Sequence, residues 1–412
     1  MPRVPGPTRT HVGPGTLDPG RREAGSAELI ALLCGATLVI TANMGMLGPL
    51  LLQLSAEFRV SLAQAGLLAS ATALPWALAA PLLGPLSDRF GRRRMLVTSM
   101  AGLGLATLSG AFASGFGLLL AVRVIAGVLA SAGPTSVMAA VADDFPSARR
   151  ASALGWVNAG FGFSALLGVP AVGVVAGAFG WRAAFIAMGL ATLLLAALIR
   201  WRMPARPGRP AGTGAMLAAY RRVFASPALA PLLAANVLER SVFATLGLYL
   251  AAFMMQTYAI GLLEVAPLLA LVAIGTIVGN IVGGRLADRA SQPRLFTLGQ
   301  LVSALFALAF FVVSPGVLGS VVLGAGFGLA TSASRPAIIA MATSISAEHR
   351  GTALGVFSFT NQLGWAIGPA ASGLGFALAG YPAIGALCAA AATGAAVLMA
   401  PLVRASAKGR WR

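Results

Sequence analysis

The feature that most constrains this chain is the recurrence of long, uncharged apolar runs from Leu29 almost to the C-terminus. A bilayer core about 30 Å thick is crossed by about 20 residues of helix. The runs reach that length and do not alternate, and in lipid only helices or closed barrels satisfy every backbone polar group. The pattern predicts an all-α, polytopic membrane protein. Charge agrees: 10% of the 412 residues are charged and 58% hydrophobic, where soluble domains carry about a quarter charged residues. The 51 glycines are then expected where helix backbones approach closely.

Twelve spans are predicted. The first six cover 29–52, 62–83, 95–113, 116–141, 153–178 and 183–199. The second six cover 229–255, 265–284, 295–313, 317–345, 352–378 and 383–403. Residues 1–28, rich in Pro, Gly and Arg, read as a disordered tail, and 404–412 as a second tail. The first apolar run is too long for a signal-peptide core and lacks a clear cleavage site, so it is expected to be retained. The domains are therefore a six-helix bundle over 29–199, a linker over 200–226 holding Pro204, Pro207 and Pro210, and a six-helix bundle over 227–403. With both termini cytoplasmic, 24 of the 29 Lys and Arg fall on the inside and only Arg59 and Arg182 outside, as the positive-inside bias requires.

A net charge of +18 raises nucleic-acid binding, which needs one clustered basic face. These arginines are shared among many short loops, so no nucleic-acid partner is expected. Arg outnumbers Lys 28 to one, a codon signature of a GC-rich, hence bacterial, genome; the predicted location is the bacterial inner membrane. Cys34 and Cys388 lie inside apolar runs and imply neither a disulfide framework nor a metal site. No G-x-x-x-x-G-K-[ST], no H-E-x-x-H and no paired intramembrane aspartates occur. Neither an enzyme nor a cofactor is expected.

The two halves match at an offset of 200 residues. Gly84-Pro85-Leu86-Ser87-Asp88-Arg89 has its counterpart in Gly284-Arg285-Leu286-Ala287-Asp288-Arg289. Arg150, Ala153, Leu154 and Gly155 pair with Arg350, Ala353, Leu354 and Gly355, and Gly168 and Gly173 with Gly368 and Gly373. Duplicated bundles suit a carrier that rocks about a midplane site.

The run Gly84 to Arg94, GPLSDRFGRRR, resembles the loop signature of the major facilitator superfamily. The resemblance covers about residues 29–403 and implies twelve transmembrane helices in two pseudo-symmetric six-helix bundles. It also implies gating roles for Gly84, Leu86, Asp88, Arg89, Gly91, Arg92 and Arg93. In that family the aspartate meets the N-terminus of a helix in the other half, here the one beginning near Gly351, where a helix dipole favours an anion. The copy at Gly284, Asp288 and Arg289 continues as Ala290-Ser291 and predicts a weaker latch. Arg123 and Gly127 resemble the family's R-x-x-x-G signature. Gly168, Pro170 and Gly173, and again Gly364, Gly368 and Pro369, resemble the glycine-proline signature of its drug and metabolite efflux branch, with Val169 where glycine is usual and Ser372 before Gly373. Ordinary close packing is an equal reading of these glycines.

Embedded charge is rare and informative. Glu239 is the one carboxylate placed within a predicted span, and neither His11 nor His349 is embedded. Glu239 and Arg335 both lie about 15 Å deep at 1.5 Å per residue, so a pair is expected. Arg240 points about 100° away and is expected to contact something else. Arg123, Glu239, Arg240 and Arg335 are candidates for coupling or substrate contact, together with Asn43, Asn361, Gln362 and Trp365. A permanent structural ion pair is the alternative for Glu239. Trp76, Phe161, Phe163, Phe243, Tyr249 and Trp365 are candidate cavity aromatics. Proton-coupled relatives in the efflux branch carry an acid in the first helix, where this chain has Asn43 and Met46. The resemblance implies export of a small organic molecule by proton antiport, acting as a monomer in the lipid bilayer. Proton symport of a small organic anion is the alternative, since the embedded charges sum to +2.

Overall fold

The computed structural model describes residues 19–205, 229–345 and 350–407, helical almost throughout. The first half holds α1 (Pro19–Gly45), α2 (Leu47–Phe58), α3 (Leu62–Phe90), α4 (Arg92–Gly110) and α5 (Phe116–Ala130). It continues with α6 (Ala132–Asp144), α7 (Ser147–Phe163), a π-helical turn (Ser164–Gly168), α8 (Val169–Phe179) and α9 (Trp181–Arg202). The second half holds α10 (Ala230–Tyr258), α11 (Leu262–Arg289), α12 (Gln292–Val312), α13 (Gly316–Ile345), α14 (Arg350–Leu398) and α15 (Ala400–Ala407).

These elements make twelve crossings, because proline chemistry breaks several of them. Pro49 has no N–H for the carbonyl of Gly45, and α1 and α2 part at Met46. Pro134 likewise has no N–H to offer the Ala130 carbonyl where α5 gives way to α6. Pro170 follows the π-helical turn that joins α7 to α8. Non-helical backbone at Ala379 and Gly380, just before Pro382, divides α14 into two crossings. Among the described residues ten segments are long and apolar enough to span a membrane, the last of them the 52-residue Gly355–Ser406. The kink splits that segment, and α4 completes the twelve, its apolarity diluted by Arg92, Arg93 and Arg94.

Three boundaries differ from expectation. Helix α1 starts at Pro19, so 19–28 is helical rather than irregular; proline suits a first turn, and Arg21, Arg22, Glu23 and Ala24 continue it readily. Helix α9 runs to Arg202, and the expected linker lies outside the described residues from 206 onward. Helix α15 carries order to Ala407, past the expected start of the second tail.

Glycines set the helix spacing. Gly275, Gly279 and Gly283 of α11 lie against the backbones of Ala325, Leu329 and Ala333 of α13, four residues apart on both sides. A Cβ at any of the three would fall on that backbone. Gly364 and Gly368 of α14 meet Val237 and Ser241 of α10 in the same manner, and Gly127 of α5 meets the Thr72 carbonyl of α3.

Core packing shows how the halves join. One buried cluster unites both: Met46, Leu47 and Leu50 pack in it with Leu246, Leu250, Met254 and Val265. It lies toward the end of the bundle that carries the turns at Arg59 and Arg182. Toward the arginine-rich end the core separates into one cluster of first-half residues, including Leu33, Leu96 and Val141, and one of second-half residues, including Leu232, Phe296 and Met341. Close approaches across the seam follow the same division. Gly48 meets Gly247, Gly373 meets Ala63, and Gly173 meets Ala266. The Ser70 hydroxyl donates to the Ala366 carbonyl at 2.6 Å.

Forcing a side chain into the α11–α13 contact costs about 1–3 kcal/mol. Gly279→Leu is expected to lower the thermal unfolding midpoint in detergent. Gly155→Leu, at an exposed helical glycine facing open space, is expected not to lower it. An unchanged midpoint for Gly279→Leu would contradict the described approach of the two helices.

Candidate functional site

Two polar nests lie inside the bundle, one in each half. The second-half nest is built on Glu239, nine residues into α10 and therefore about 14 Å along it. Its side chain is fully buried, at 0% exposure. Arg335 of α13, ten residues before the end of that helix, donates from Nη1 to Glu239 Oε2 at 2.8 Å. The predicted pair is therefore present.

Arg240 departs from expectation. Its Nε donates to Glu239 Oε2 at 2.6 Å, and its Nη2 donates to Glu239 Oε1. The backbone directions of residues 239 and 240 do diverge, but the long arginine stem folds back and presents two parallel N–H groups to the carboxylate. Such two-point contacts are the stronger form of the pair. One carboxylate thus serves two guanidiniums, whose side chains retain 11% and 16% exposure.

Neutral groups complete the nest. Arg335 Nη1 also donates to Asn236 Oδ1 at 2.6 Å, and its Nη2 to Asn361 Oδ1 at 2.7 Å. The Asn236 amide is oriented in turn by the Thr360 hydroxyl at 2.8 Å and the Phe357 carbonyl at 3.1 Å. Arg335 lies over the Phe357 ring at 4.9 Å and Arg240 over Phe243 at 4.5 Å. Phe243 packs edge-on against Trp365, with ring centroids 6.0 Å apart. Trp365 precedes Ala366, whose carbonyl takes the Ser70 hydroxyl from the first half. The aromatic pair therefore adjoins the seam. Gln362 is partly buried beside it and makes no hydrogen bond among the described residues.

The first-half nest holds Arg123 of α5, at 1% exposure. Its Nε donates to the Thr72 hydroxyl at 2.9 Å, its Nη1 to Asn43 Oδ1 at 3.1 Å and its Nη2 to the Asn43 carbonyl at 3.2 Å. Asn43 Nδ2 reaches the Thr107 hydroxyl at 2.7 Å. The guanidinium joins α5 to α1 and α3 through neutral oxygens, and α4 is added through Asn43, which is a cross-linking arrangement.

The loop signature is placed within its own half. Gly91 adopts φ 88° between α3 and α4, a turn that glycine makes without steric cost. Arg92 Nε bonds Asp143 of α6 at 3.0 Å, and the buried Ser87 hydroxyl meets Ser136 at 3.0 Å. The side chains of Asp88 and of residues 350–354 lie outside those described, and the expected latch with them. Arg89 lies over Phe90, and Arg93 has no described partner. In the second copy Gly284 faces open space, and Asp288 and Arg289 are exposed without a bonded partner among the described residues.

Other candidates fall into packing positions. Gly168 closes on Ala42 of α1, Gly173 on Ala266 across the seam, and the Pro369 carbonyl accepts the Tyr249 hydroxyl at 3.3 Å. Tyr249 and Trp76 are buried in cores rather than open to a cavity. Asn236, Thr360, Thr72 and Thr107 are polar contacts of the two nests that sequence reasoning missed. Asn236 was detectable, three residues before Glu239 and so on the same helix face. The threonines were not, since in a helix their hydroxyls can return to their own backbone, as Thr72 does with Leu68.

Comparison with known proteins gives a consistent result. The family model of the Major Facilitator Superfamily matches residues 33–328 and 232–412. A gallate transporter of Pseudomonas putida is 28% identical, over 90% of this chain and 93% of its own length. A chloramphenicol resistance protein of Streptomyces lividans is 30% identical, over 66% of this chain and 69% of its own. The crystal structure of a bacterial homologue of the human lysosomal transporter Spinster, inward-facing and occupied, superposes with a TM-score of 0.72 at 20% identity. That superposition covers 93% of this chain and 98% of the other.

Removing one member of a buried pair costs about 3–5 kcal/mol through the charge left behind. Because Glu239 compensates two arginines, Glu239→Gln is expected to destabilise the purified protein more than Arg335→Gln, which leaves a neutral pair. Denaturation in detergent measures both. The reverse order would contradict the shared-carboxylate arrangement.

Proposed function

Because this chain belongs to the major facilitator superfamily of multi-pass membrane transporters, we propose that it is a secondary active carrier of a small organic molecule, coupled to protons at Glu239. The observation that carries the reading is this carboxylate, fully buried between two arginines about 14 Å along its helix. It is the only buried acid among the described residues. Burial favours its neutral form and the guanidiniums its charged form, so its proton affinity depends on how closely the arginines approach. Those arginines sit on α10 and α13, and their guanidiniums remain partly accessible.

The packing supports alternating access. The shared core at the arginine-poor end joins the halves, and the separate cores at the other end leave room for them to part. With the arginine-rich end in the cytoplasm of a bacterium, this conformation faces inward. Its opposite needs the shared core to separate and the two inner cores to meet. Asp88 and the start of α14 are the expected contacts of that closed state.

Export in exchange for protons is the form favoured by relatives named for drug resistance. A second form, carriage of an organic anion together with a proton, is favoured by one feature of the site: two guanidiniums face one carboxylate, an excess of positive charge. The relative named for gallate, an aromatic acid, agrees with it.

Everted vesicles made with this protein, tested with chloramphenicol and with small aromatic acids under an imposed pH gradient, check the proposal. Cargo accumulation with proton release supports export by antiport, and movement of both in one direction supports the second form. Glu239→Gln is expected to abolish the effect of the gradient in either case. Unchanged gradient dependence in that variant would remove Glu239 from the coupling step.

A further inference from the structure

We infer that Glu239 is a tethered occupant of an anion-binding site, and that the cargo of this site is an aromatic organic anion whose carboxylate takes its place on Arg335 and Arg240. This rests on proton coupling at Glu239 and takes its second form.

The geometry is that of a bound ligand. A carboxylate buried on all sides is held by the Nε and Nη2 of one arginine and by Nη1 of another. Planar guanidinium forks of this kind recognise any carboxylate of suitable reach. Beside the forks stand Phe243 and Trp365, edge to face, with Arg240 already over the Phe243 ring. A flat ring extending from the carboxylate meets these two side chains. Gln362 adds an unused amide to the same helix face, three residues from Trp365. The seam at Ser70 and Ala366 lies next to the aromatic pair, so a ring there touches the boundary between halves.

Protonation vacates the site. Neutral Glu239 loses its attraction to both arginines and leaves two uncompensated positive charges, of which an incoming anion offsets one, as the ionised carboxylate did. Glu239 is faced by Arg240 from its own helix and by Arg335 from α13. From α14 two neutral groups join the nest, Asn361 on Arg335 and Thr360 on Asn236. The other charges of helices packed on α10, namely Glu57 of α2, Glu264, Arg285, Asp288 and Arg289 of α11, Arg294 of α12 and Arg350 of α14, stand near helix ends. The nearest titratable group on α10 itself beyond Arg240 is Tyr249, ten residues further on. Among the described charges, only the two arginines are placed to compete with the proton for this carboxylate. Both carboxylates need the same N–H donors, so the anion takes them when Glu239 is protonated, and proton and anion occupy the site together with its net charge unchanged at +1.

Equilibrium binding of radiolabelled benzoate to the purified full-length protein at pH 6 and pH 8 tests this, since benzoate is ionised at both. The wild-type protein is expected to bind it roughly tenfold more tightly at the lower pH, an ordinary size for site coupling. Glu239→Gln is expected to bind at pH 8 as tightly as the wild type at pH 6, with no remaining pH dependence. Benzamide and benzylamine, equal in shape but neutral and cationic, are expected not to displace benzoate. Should Glu239→Gln fail to fold, E239Q/R240Q removes the carboxylate with one of its two partners and must show the same loss of pH dependence. Retained pH dependence without the carboxylate, displacement by benzamide, or no benzoate binding to the wild type at either pH overturns the assignment. Vesicles separate the two levels of the claim. If Glu239→Gln uncouples protons there but anions are not preferred, the cargo assignment fails and the coupling reading stands. If proton movement is unaffected, both fall.

Discussion

A charge inside the hydrocarbon layer has no water to stabilise it, so the protein must supply compensation from other helices. Here that requirement ties together elements far apart in sequence. Glu239 draws Arg335 across 96 residues, and Arg335 in turn holds Asn236 and Asn361. Helices α10 and α13 therefore meet at one carboxylate, and α14 joins them through Asn361 on Arg335. Arg123 has the same effect in the first half, where it reaches α1 and α3 through Asn43 and Thr72. Glycine contacts then let these helices come close enough for the polar groups to meet, as Gly364 and Gly368 do between α14 and α10.

The two nests differ in a way that suits different work. Arg123 is enclosed and bonded to neutral groups that do not titrate in the physiological range, so its charge is constant. The second nest contains a group that can change charge, with partly exposed arginines around it. The sequence repeat made the halves look equivalent, yet among the described residues only the second holds a buried carboxylate. The core packing gives that chemistry a mechanical partner. The nest sits between the cluster shared by both halves and the cluster confined to its own, so a rearrangement of Arg335 or Arg240 is felt near the seam.

Much of this was legible beforehand. Run length and loop charge yielded twelve crossings, because hydrophobic thickness and backbone satisfaction leave few alternatives. The Glu239–Arg335 pair followed from depth alone, since residue count converts directly to distance along a helix. What failed depended on side-chain reach. Arg240 was assigned elsewhere from its Cα direction, although an arginine stem is long enough to curl back on its neighbour. Tyr249 was placed in a cavity because aromatic residues carry no mark of their depth in the seam, and its hydroxyl instead meets the Pro369 carbonyl. Helix breaks at Met46 and Ser131 were written in Pro49 and Pro134, but long apolar runs concealed them.

The most direct measurement of whether Glu239 changes its charge state is infrared difference spectroscopy of the full-length protein in lipid, with isotope-labelled glutamate. Acidification, or addition of cargo, is predicted to produce the carbonyl stretch of a protonated, buried carboxylic acid, with loss of the matching carboxylate bands. The signal should be absent from Glu239→Gln. A wild-type spectrum without that band at any pH at which the protein transports would mean that Glu239 stays permanently ionised between its arginines, and would contradict the account.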